Sequence, residues 1–473
     1  ATGFFSHTSR ETPTSNTFES SASRTTVLNF GLQQNIPTGG NYALSWTNSR
    51  NAVSAFGALI NPSFSSGLAV SVDQPLLRNF GLDINRRSVY IARNTLGINR
   101  ESFRLALLDT ANSVEQAYLD LLYTRQFVDV VRESLFLARD QARITQIRID
   151  VGASAPLDIL QPRVQIATSE EALIRAVADV RAAEDRLRQL MHLPPSEWDR
   201  PIVPTDRVTY EPTSINVDDA ITRAFELRPE VKQNQLASDS LRVQYLYARN
   251  QTLPRVDLGL DYSHAGIAGK ALAVDPFSGD PTGLSSTNYP HAVRQAIEGT
   301  FPAWTVAVSV AVPLTNIGAR AEAKRSELDY RQSRTFDEQT RETIVVQIRA
   351  AAREVDTAAK EIAASKTARD VAEQNLDAER KRYENGMTTN FQVLQVQQQL
   401  SDSRARELQA LVNYNKAVTA YHRFVGDLLD VRGIKTEEPV VSPEPQDWLM
   451  FRRLDRYPWL NYGSRVNVNE ELK

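Results

Sequence analysis

Four segments of the chain alternate apolar and polar residues with a period of two, which predicts β-strands. Their apolar positions are Tyr42, Leu44 and Trp46; Leu68, Val70 and Val72; Val256, Leu258, Leu260 and Tyr262; and Val306, Val308, Val310 and Val312. Each segment has about ten residues, the length of a tilted strand that crosses a bilayer. A soluble β-sandwich shows the same alternation, so the strands alone leave both interpretations open.

Two further segments near the start of the chain add to the predicted strands. Residues 25–36 alternate at Leu28, Phe30 and Leu32, and residues 37–40 form a tight turn before the Tyr42 strand. Residues 1–9 are a candidate for another strand. Both four and six strands per chain fit this pattern. Residues 51–65 and 265–300 are predicted to be long external loops.

Two very long stretches, residues 84–150 and 319–384, repeat apolar residues at helical spacing and contain no proline. At 1.5 Å per residue each predicts a helix of about 100 Å. Helices of this length without a globular sequence around them predict a coiled-coil-like assembly, which a soluble sandwich does not need.

Shorter helices are predicted to run back along the long ones. They cover residues 155–193, 217–250 and 389–428, and the second of these is capped by Asn216 and kinked or divided at Pro229. The first two together would match one long helix in length. The helix at 389–428 lacks such a companion, so we expect that companion, and a removed leader peptide, to precede residue 1.

The order of these elements repeats along the chain. The segment Val70–Leu76 is similar to Val308–Leu314, and both precede a long helix. Gly152 and Gly386 follow similar segments, and the leucines at 160 and 394 keep the same offset of 234 positions. The sequence therefore predicts two halves of one plan: strands, a long helix, a glycine turn and a return helix.

Composition narrows the possible functions. Hydrophobic residues make up 41% and charged residues 23% of the chain, and no run of about 18 apolar residues is present, so no membrane-spanning helix is expected. The net charge of -3 argues against a nucleic-acid partner. The chain has no cysteine, and its 5 histidines show no metal-ligand spacing. We expect no enzyme activity, cofactor or metal site.

At this point the chain resembles the TolC family of outer-membrane efflux and secretion channels over most of residues 42–426. The resemblance is carried by Gln74–Arg78, by Arg148–Gly152 with Leu157–Leu160, and by Arg382–Gly386 with Val393 and Leu394. It implies a mixed α and β fold: a homotrimeric outer-membrane β-barrel that a coiled-coil α-helical barrel continues into the periplasm.

The resemblance also implies a function and partners. The chain would be a passive export duct of a tripartite efflux pump or a type I secretion system. A periplasmic adaptor (membrane fusion) protein and an inner-membrane pump or ABC transporter would open it at its periplasmic tip. The alternative is a structural coiled-coil envelope protein without a pore. Adaptor-like proteins carry lipoyl-like regions, which this sequence lacks.

Two sets of residues near the glycine turns are candidates for the site. The resemblance implies a periplasmic gate at Asp158, Gln161, Gln392, Gln395 and Tyr383. It implies an exposed adaptor-docking tip at Arg148, Val151, Gly152, Arg382, Asn385, Gly386 and Met387. The family often has acidic residues where this chain has glutamines in its second half, so weaker attraction of cations is expected. Simple turns and a solvated helix face are the alternative interpretation.

These observations divide the chain into six regions. They are 1–83, first-repeat strands and external loop; 84–193, first helical hairpin; 194–252, linker and equatorial helix; 253–318, second-repeat strands and loop; 319–430, second helical hairpin; and 431–473, an extended tail. The tail is rich in proline and then in aromatic residues. It is predicted to pack around the middle of the helical tube, or to contact peptidoglycan or an accessory protein.

Overall fold

The computed structural model describes residues 2–16, 19–54, 60–206, 208–274, 277 and 281–435. The described chain forms two compact units, one from residues 2–94 and 238–332 and the other from residues 95–237 and 333–435. Most of the predicted tail, residues 436–473, lies outside the described residues.

The first unit contains one antiparallel sheet. Its strands are β1 (Thr2–Asn16), β2 (Glu19–Asn35), β3 (Asn41–Val53), β4 (Ile60–Pro75), β5 (Arg255–Val274), β6 (Pro281–Ser286) and β7 (Phe301–Ala311). Strands β1 to β5 are neighbours in sequence order, and both β6 and β7 pair with β5. The sheet is therefore six strands wide. This confirms the four predicted strands and decides between four and six, because residues 2–16 and 19–35 join the same sheet.

The register of the sheet sorts side chains onto two different faces. Leu32, Leu44, Val70, Tyr262 and Trp304 lie opposite one another across five strands, on what we call the apolar face. The adjacent row, on the polar face, consists of Gly31, Ser45, Ala69, Ser263 and Ala303. Because successive residues of a strand point to opposite faces, the next row, Phe30, Trp46 and Leu68, is again on the apolar face, and Asn29, Thr47 and Gly67 are on the polar face.

The prediction of long loops at residues 51–65 and 265–300 was wrong. Strand β3 runs to Val53, β4 begins at Ile60 and β5 continues to Val274. Among the later described residues of the second segment, 281–286 form β6 and 289–298 form a short helix, α6 (Tyr289–Glu298). The small and polar residues of these segments are typical of loops. A strand requires only partners for its backbone hydrogen bonds, and the neighbouring strands provide those partners.

The helices end close to their predicted positions. They are α1 (Leu82–Asn85), α2 (Arg87–Asp150), α3 (Leu160–Leu190), α4 (Val217–Leu227), α5 (Pro229–Asn250), α7 (Ile317–Glu384), α8 (Asn390–Val425) and α9 (Leu428–Val431). A 3-10 helix, Pro156–Ile159, precedes α3. The Asn216 side chain accepts hydrogen bonds from the backbone of Asp218 and Asp219, which confirms the predicted cap. The predicted division at Pro229 is also confirmed, since Arg228 before it is extended.

One buried cluster of the second unit lies between α4, α7 and α8. Ile344, Ile348 and Val355 of α7 are buried against Tyr421 and Val425 of α8. Ala220 and Ala224 of α4 complete the cluster, and their small side chains let α4 approach closely. This packing positions α7 and α8, and therefore the turn between them, where the candidate site residues lie.

Candidate functional site

The two glycine turns have matching backbone geometry. Gly152 and Gly386 adopt φ values of 75° and 74°, in the left-handed region that favours glycine. After each glycine, the next backbone N–H closes the helix end, from Ala153 to the Arg148 carbonyl at 2.7 Å and from Met387 to the Arg382 carbonyl at 2.9 Å. These are helix-ending motifs of one type, and the offset of 234 positions relates them.

Replacing Gly386 with alanine is expected to cost about 1–2 kcal/mol, because an L-residue is strained at this φ although nothing lies within 4 Å of the added Cβ. Gly318 in α7 is the matched control, since it also has open space but no positive φ. Gly318→Ala should hold or raise the melting temperature in detergent, and Gly386→Ala should lower it. Equal melting temperatures would contradict a strained turn.

Five residues on the helices beside the two turns form a polar group that we call the turn cluster: Gln141, Thr145, Arg148, Tyr383 and Asn390. Arg148 of α2 donates a hydrogen bond to the Tyr383 carbonyl, and its guanidinium carbon lies 4.4 Å from the centre of the Tyr383 ring. The Tyr383 hydroxyl lies 3.5 Å from Thr145 Oγ1. Only 6% of Tyr383 is exposed, so these contacts are shielded from water.

Asn390, the first residue of α8, connects three segments. Its Oδ1 accepts from Gln141 Nε2 at 2.7 Å and from Thr145 Oγ1 at 3.3 Å, and its Nδ2 donates to the Asp158 carbonyl at 3.4 Å. Gln141, Thr145 and Asn390 are all buried. Sequence analysis missed this residue. The only available signal was a polar side chain directly after the predicted helix start at Thr389, which does not identify its partners.

The predicted gate residues are only partly brought together. Asp158 is exposed and its carboxylate accepts from the Ala155 backbone at 3.1 Å, so it caps the 3-10 helix. Asp158, Gln161 and Tyr383 line a cavity of about 540 Å³. Gln161 and Gln395 both line an open groove of about 830 Å³ between α3 and α8. Gln392 is exposed and lines neither space.

The predicted docking residues are mostly exposed. Val151 and Met387 are 71% and 75% exposed, and Gly152, Arg382, Asn385 and Gly386 are exposed as well. The prediction that Arg148 is exposed was wrong: it is half-buried, because its side chain lies against Tyr383. Leu157, which is 74% exposed beside the first turn, was not predicted as part of this surface.

Charge near the second turn is held in local pairs. Glu379 is buried, and it accepts from Thr388 Oγ1 and from Arg382 Nη1. Two residues after Glu379, the Lys381 ammonium lies 2.7 Å from an Asp377 carboxylate oxygen, and this contact raises the pKa of Lys381 above its ordinary value. Basic and acidic side chains at the end of α7 therefore compensate one another in local pairs.

Within the described ranges, no group of three or more histidine, cysteine, aspartate or glutamate residues is arranged to hold a metal ion. Among the helices described, none has a stretch long and apolar enough to cross a membrane.

Comparisons with known proteins agree with this architecture. The profile of the outer membrane efflux protein family matches residues 41–191 and 220–426. The chain is 22% identical to outer membrane efflux protein BepC of Brucella suis over 74% of this chain and 72% of BepC. It is 23% identical to toxin and drug export protein A of Aggregatibacter actinomycetemcomitans over 50% of this chain and 46% of that protein.

Solved structures show the same fold. The outer-membrane channel OprN superposes with a TM-score of 0.61 at 14% identity, covering 82% of each chain. The CmeC outer membrane channel of Campylobacter jejuni superposes with a TM-score of 0.60 at 14% identity, covering 83% of this chain and 78% of CmeC. With three quarters of its length matched by the family profile, the chain belongs to the outer membrane efflux protein family, whose members are export channels of the outer membrane and not enzymes.

Proposed function

We propose that three copies of this chain form one passive duct that crosses the outer membrane and the periplasm, as part of a tripartite efflux pump or a type I secretion system. The observation that carries the proposal is the sheet, which has an exposed apolar face. Among the described residues, no strand pairs with the outer side of β1 or with the outer side of β6 and β7. Open sheet edges are not tolerated in lipid, so strands of other copies must pair with these edges.

The faces of the sheet fit a barrel wall. On the apolar face of β7, Trp304, Val306 and Val308 are 74%, 58% and 63% exposed, which suits contact with lipid. The polar face carries Asp73 and Asp261, which require water. Three copies with six strands each would make a barrel of eighteen strands. A barrel of that size encloses an aqueous channel.

The two halves of the chain are proposed to be a tandem structural repeat. Each contains strands, a long helix, a turn closed by equivalent hydrogen bonds, and a return helix. In a trimer, six such helical hairpins would form the wall of the periplasmic tube, with α5 lying along the start of α2 in that wall and the equatorial helix α4 outside it. The division into regions 1–83, 84–193, 194–252, 253–318, 319–430 and 431–473 follows from this repeat.

The turns are proposed to be the periplasmic gate and docking tip. Asp158, Gln161, Gln392 and Gln395 offer hydrogen-bonding groups that could meet across a threefold axis, while Tyr383 holds the turn in place through Arg148. Exposed Val151 and Met387, with Gly152, Arg382, Asn385 and Gly386, would contact a periplasmic adaptor. The adaptor and an inner-membrane pump would supply the energy.

The experiment that tests this function uses the full-length protein from outer membranes. We expect it to stay in the membrane fraction after a carbonate wash, to cross-link as a trimer in detergent, and to form pores in planar bilayers. A structural coiled-coil envelope protein would also cross-link but would be released by carbonate and would not conduct ions. Release as a soluble monomer would refute the proposal.

A further inference from the structure

Helix α6 packs against the apolar face of the sheet. A Cβ added to Gly266 of β5 would lie 2.0 Å from the Ala292 carbonyl oxygen, so only glycine allows the helix this close. Ala292 and Ala296 are buried in the contact, and His264 Nδ1 lies 3.1 Å from the Ala296 carbonyl oxygen. Gly266 and His264 share the face of Leu260 and Tyr262, because strand residues alternate.

The level of α6 along the sheet follows from the register. Strand β7 pairs with β5 from Arg255 to Ala265, which is 11 residues. With the tilt of barrel strands this stretch spans about 25–30 Å, the height of the lipid-facing band. The Arg255 end connects to α5, so α6, at Gly266, stands at the opposite, outward boundary of that band.

Aromatic residues mark the same boundary. Phe5, Phe30 and Trp46 contact one another on three neighbouring strands, with ring centroids 5.2 and 5.6 Å apart. Tyr262 and Trp304 lie opposite each other on β5 and β7, in the next row of the same face. Rows of aromatic side chains are typical of the interfaces of transmembrane barrels. On α6 itself, Tyr289 contacts Phe64, with ring centroids 6.1 Å apart.

Two arginines lie just beyond this aromatic row. Arg294 is exposed on α6, and Arg50 is exposed on β3, opposite Phe64 of β4. Neither forms an ion pair with any residue in the described part of the chain. Glu298, one turn after Arg294, is exposed too and does not pair with it. Ile297, next to Glu298, is 67% exposed and adds an apolar side chain to the surface of α6.

We propose that α6 and the neighbouring end of β3 bind the phosphate of an anionic lipid head group in the outer leaflet. This inference rests on the proposed barrel, which places the apolar face against lipid. The surface adjoins the outer end of that face, and an apolar band followed by cations matches the order of acyl chain and phosphate in a lipid. Arginine is suited to phosphate because its planar fork donates two hydrogen bonds.

The test measures lipid retention by the full-length protein. Native mass spectrometry of protein purified with equal amounts of phosphatidylglycerol and phosphatidylcholine should show preferential retention of phosphatidylglycerol. Arg294→Gln and Arg50→Gln should each lower that preference about fivefold, as expected for one basic residue near an anionic surface. Arg294→Lys should keep most of it, because the charge remains.

Arg10→Gln is the matched control. Arg10 is exposed at nearly the same level of the sheet as Arg50, but it lies on the polar face. Arg50 pairs with Thr26 and Arg10 pairs with Thr25, and these two neighbouring residues of β2 point to opposite faces. An equal loss in Arg10→Gln would overturn the inference, as would displacement of phosphatidylglycerol by inorganic phosphate. Conducting pores without any lipid preference would overturn it and leave the duct intact, whereas absence of pores would remove both.

Discussion

Replacing Asn390 with alanine is expected to shift the proposed periplasmic tip toward its open state. The change leaves the buried Gln141 side chain without its acceptor and removes the connection from α8 to α2 and to the Asp158 carbonyl. A buried polar group without a partner costs about 1–3 kcal/mol. If the closed tip alone contains these contacts, the ratio of open to closed channels rises about 5- to 150-fold. Single-channel recordings in planar bilayers measure this ratio directly.

Asn375→Ala is the control for this variant. Asn375 is an exposed asparagine on α7, so its removal should leave the recordings as they are for the unmodified channel. The double variant Gln141→Leu with Asn390→Leu separates the cost of an unsatisfied polar group from the loss of the connection between helices. Replacing both partners leaves no unsatisfied group but still removes the connection. A closed tip in Asn390→Ala would contradict the role of the turn cluster in closure.

Deleting residues 1–36 is expected to narrow the proposed trimeric barrel by about one third, from eighteen to twelve strands, because barrel diameter grows roughly linearly with strand number. The deletion removes β1 and β2 and leaves β3, β4, β5 and β7 as the membrane-level strands of each chain. Strand β3, whose pairing with β2 covers residues 41–53, would then be an edge strand free to pair with β7 of another copy. Electron cryomicroscopy of both proteins in nanodiscs measures the diameter.

Deletion of residues 436–473 is a control of similar length at the other end of the chain, and the barrel should keep its diameter. A full-length map with twelve strands would contradict a wall in which β1 and β2 take part. The family profile begins at residue 41, so this hairpin lies outside the region shared across the family. The strand number of this chain therefore needs its own measurement.

The long elements could be predicted from sequence because their signals extend over many residues. Helices α2 and α7 run for 64 and 68 residues without a proline, and their apolar residues recur at the spacing of a helix. Strand β1 was harder to predict, because Phe4 and Phe5 are adjacent and break the alternation. The outer parts of β4 and β5 were missed because they are rich in small and polar residues.

The contacts of the candidate site could not be predicted in the same way. Arg148 and Tyr383 are 235 positions apart, and their contact depends on how α2 and α7 are rotated about their axes. Sequence periodicity indicates which stripe of a helix is apolar, but it does not indicate which polar residue next to that stripe meets another helix. The glycine turns were identified, whereas Asn390 became visible only with the helices in place.

The turn cluster also limits how far the two halves are interchangeable. Tyr383 and Asn390 belong to the second half, and their partners Gln141, Thr145 and Arg148 belong to the first. At the offset of 234, the counterparts of Tyr383 and Asn390 are an isoleucine and a proline, whose side chains donate and accept no hydrogen bonds. A chain assembled from two first halves would keep every long element but would lose this connection, so each half has become dependent on the other.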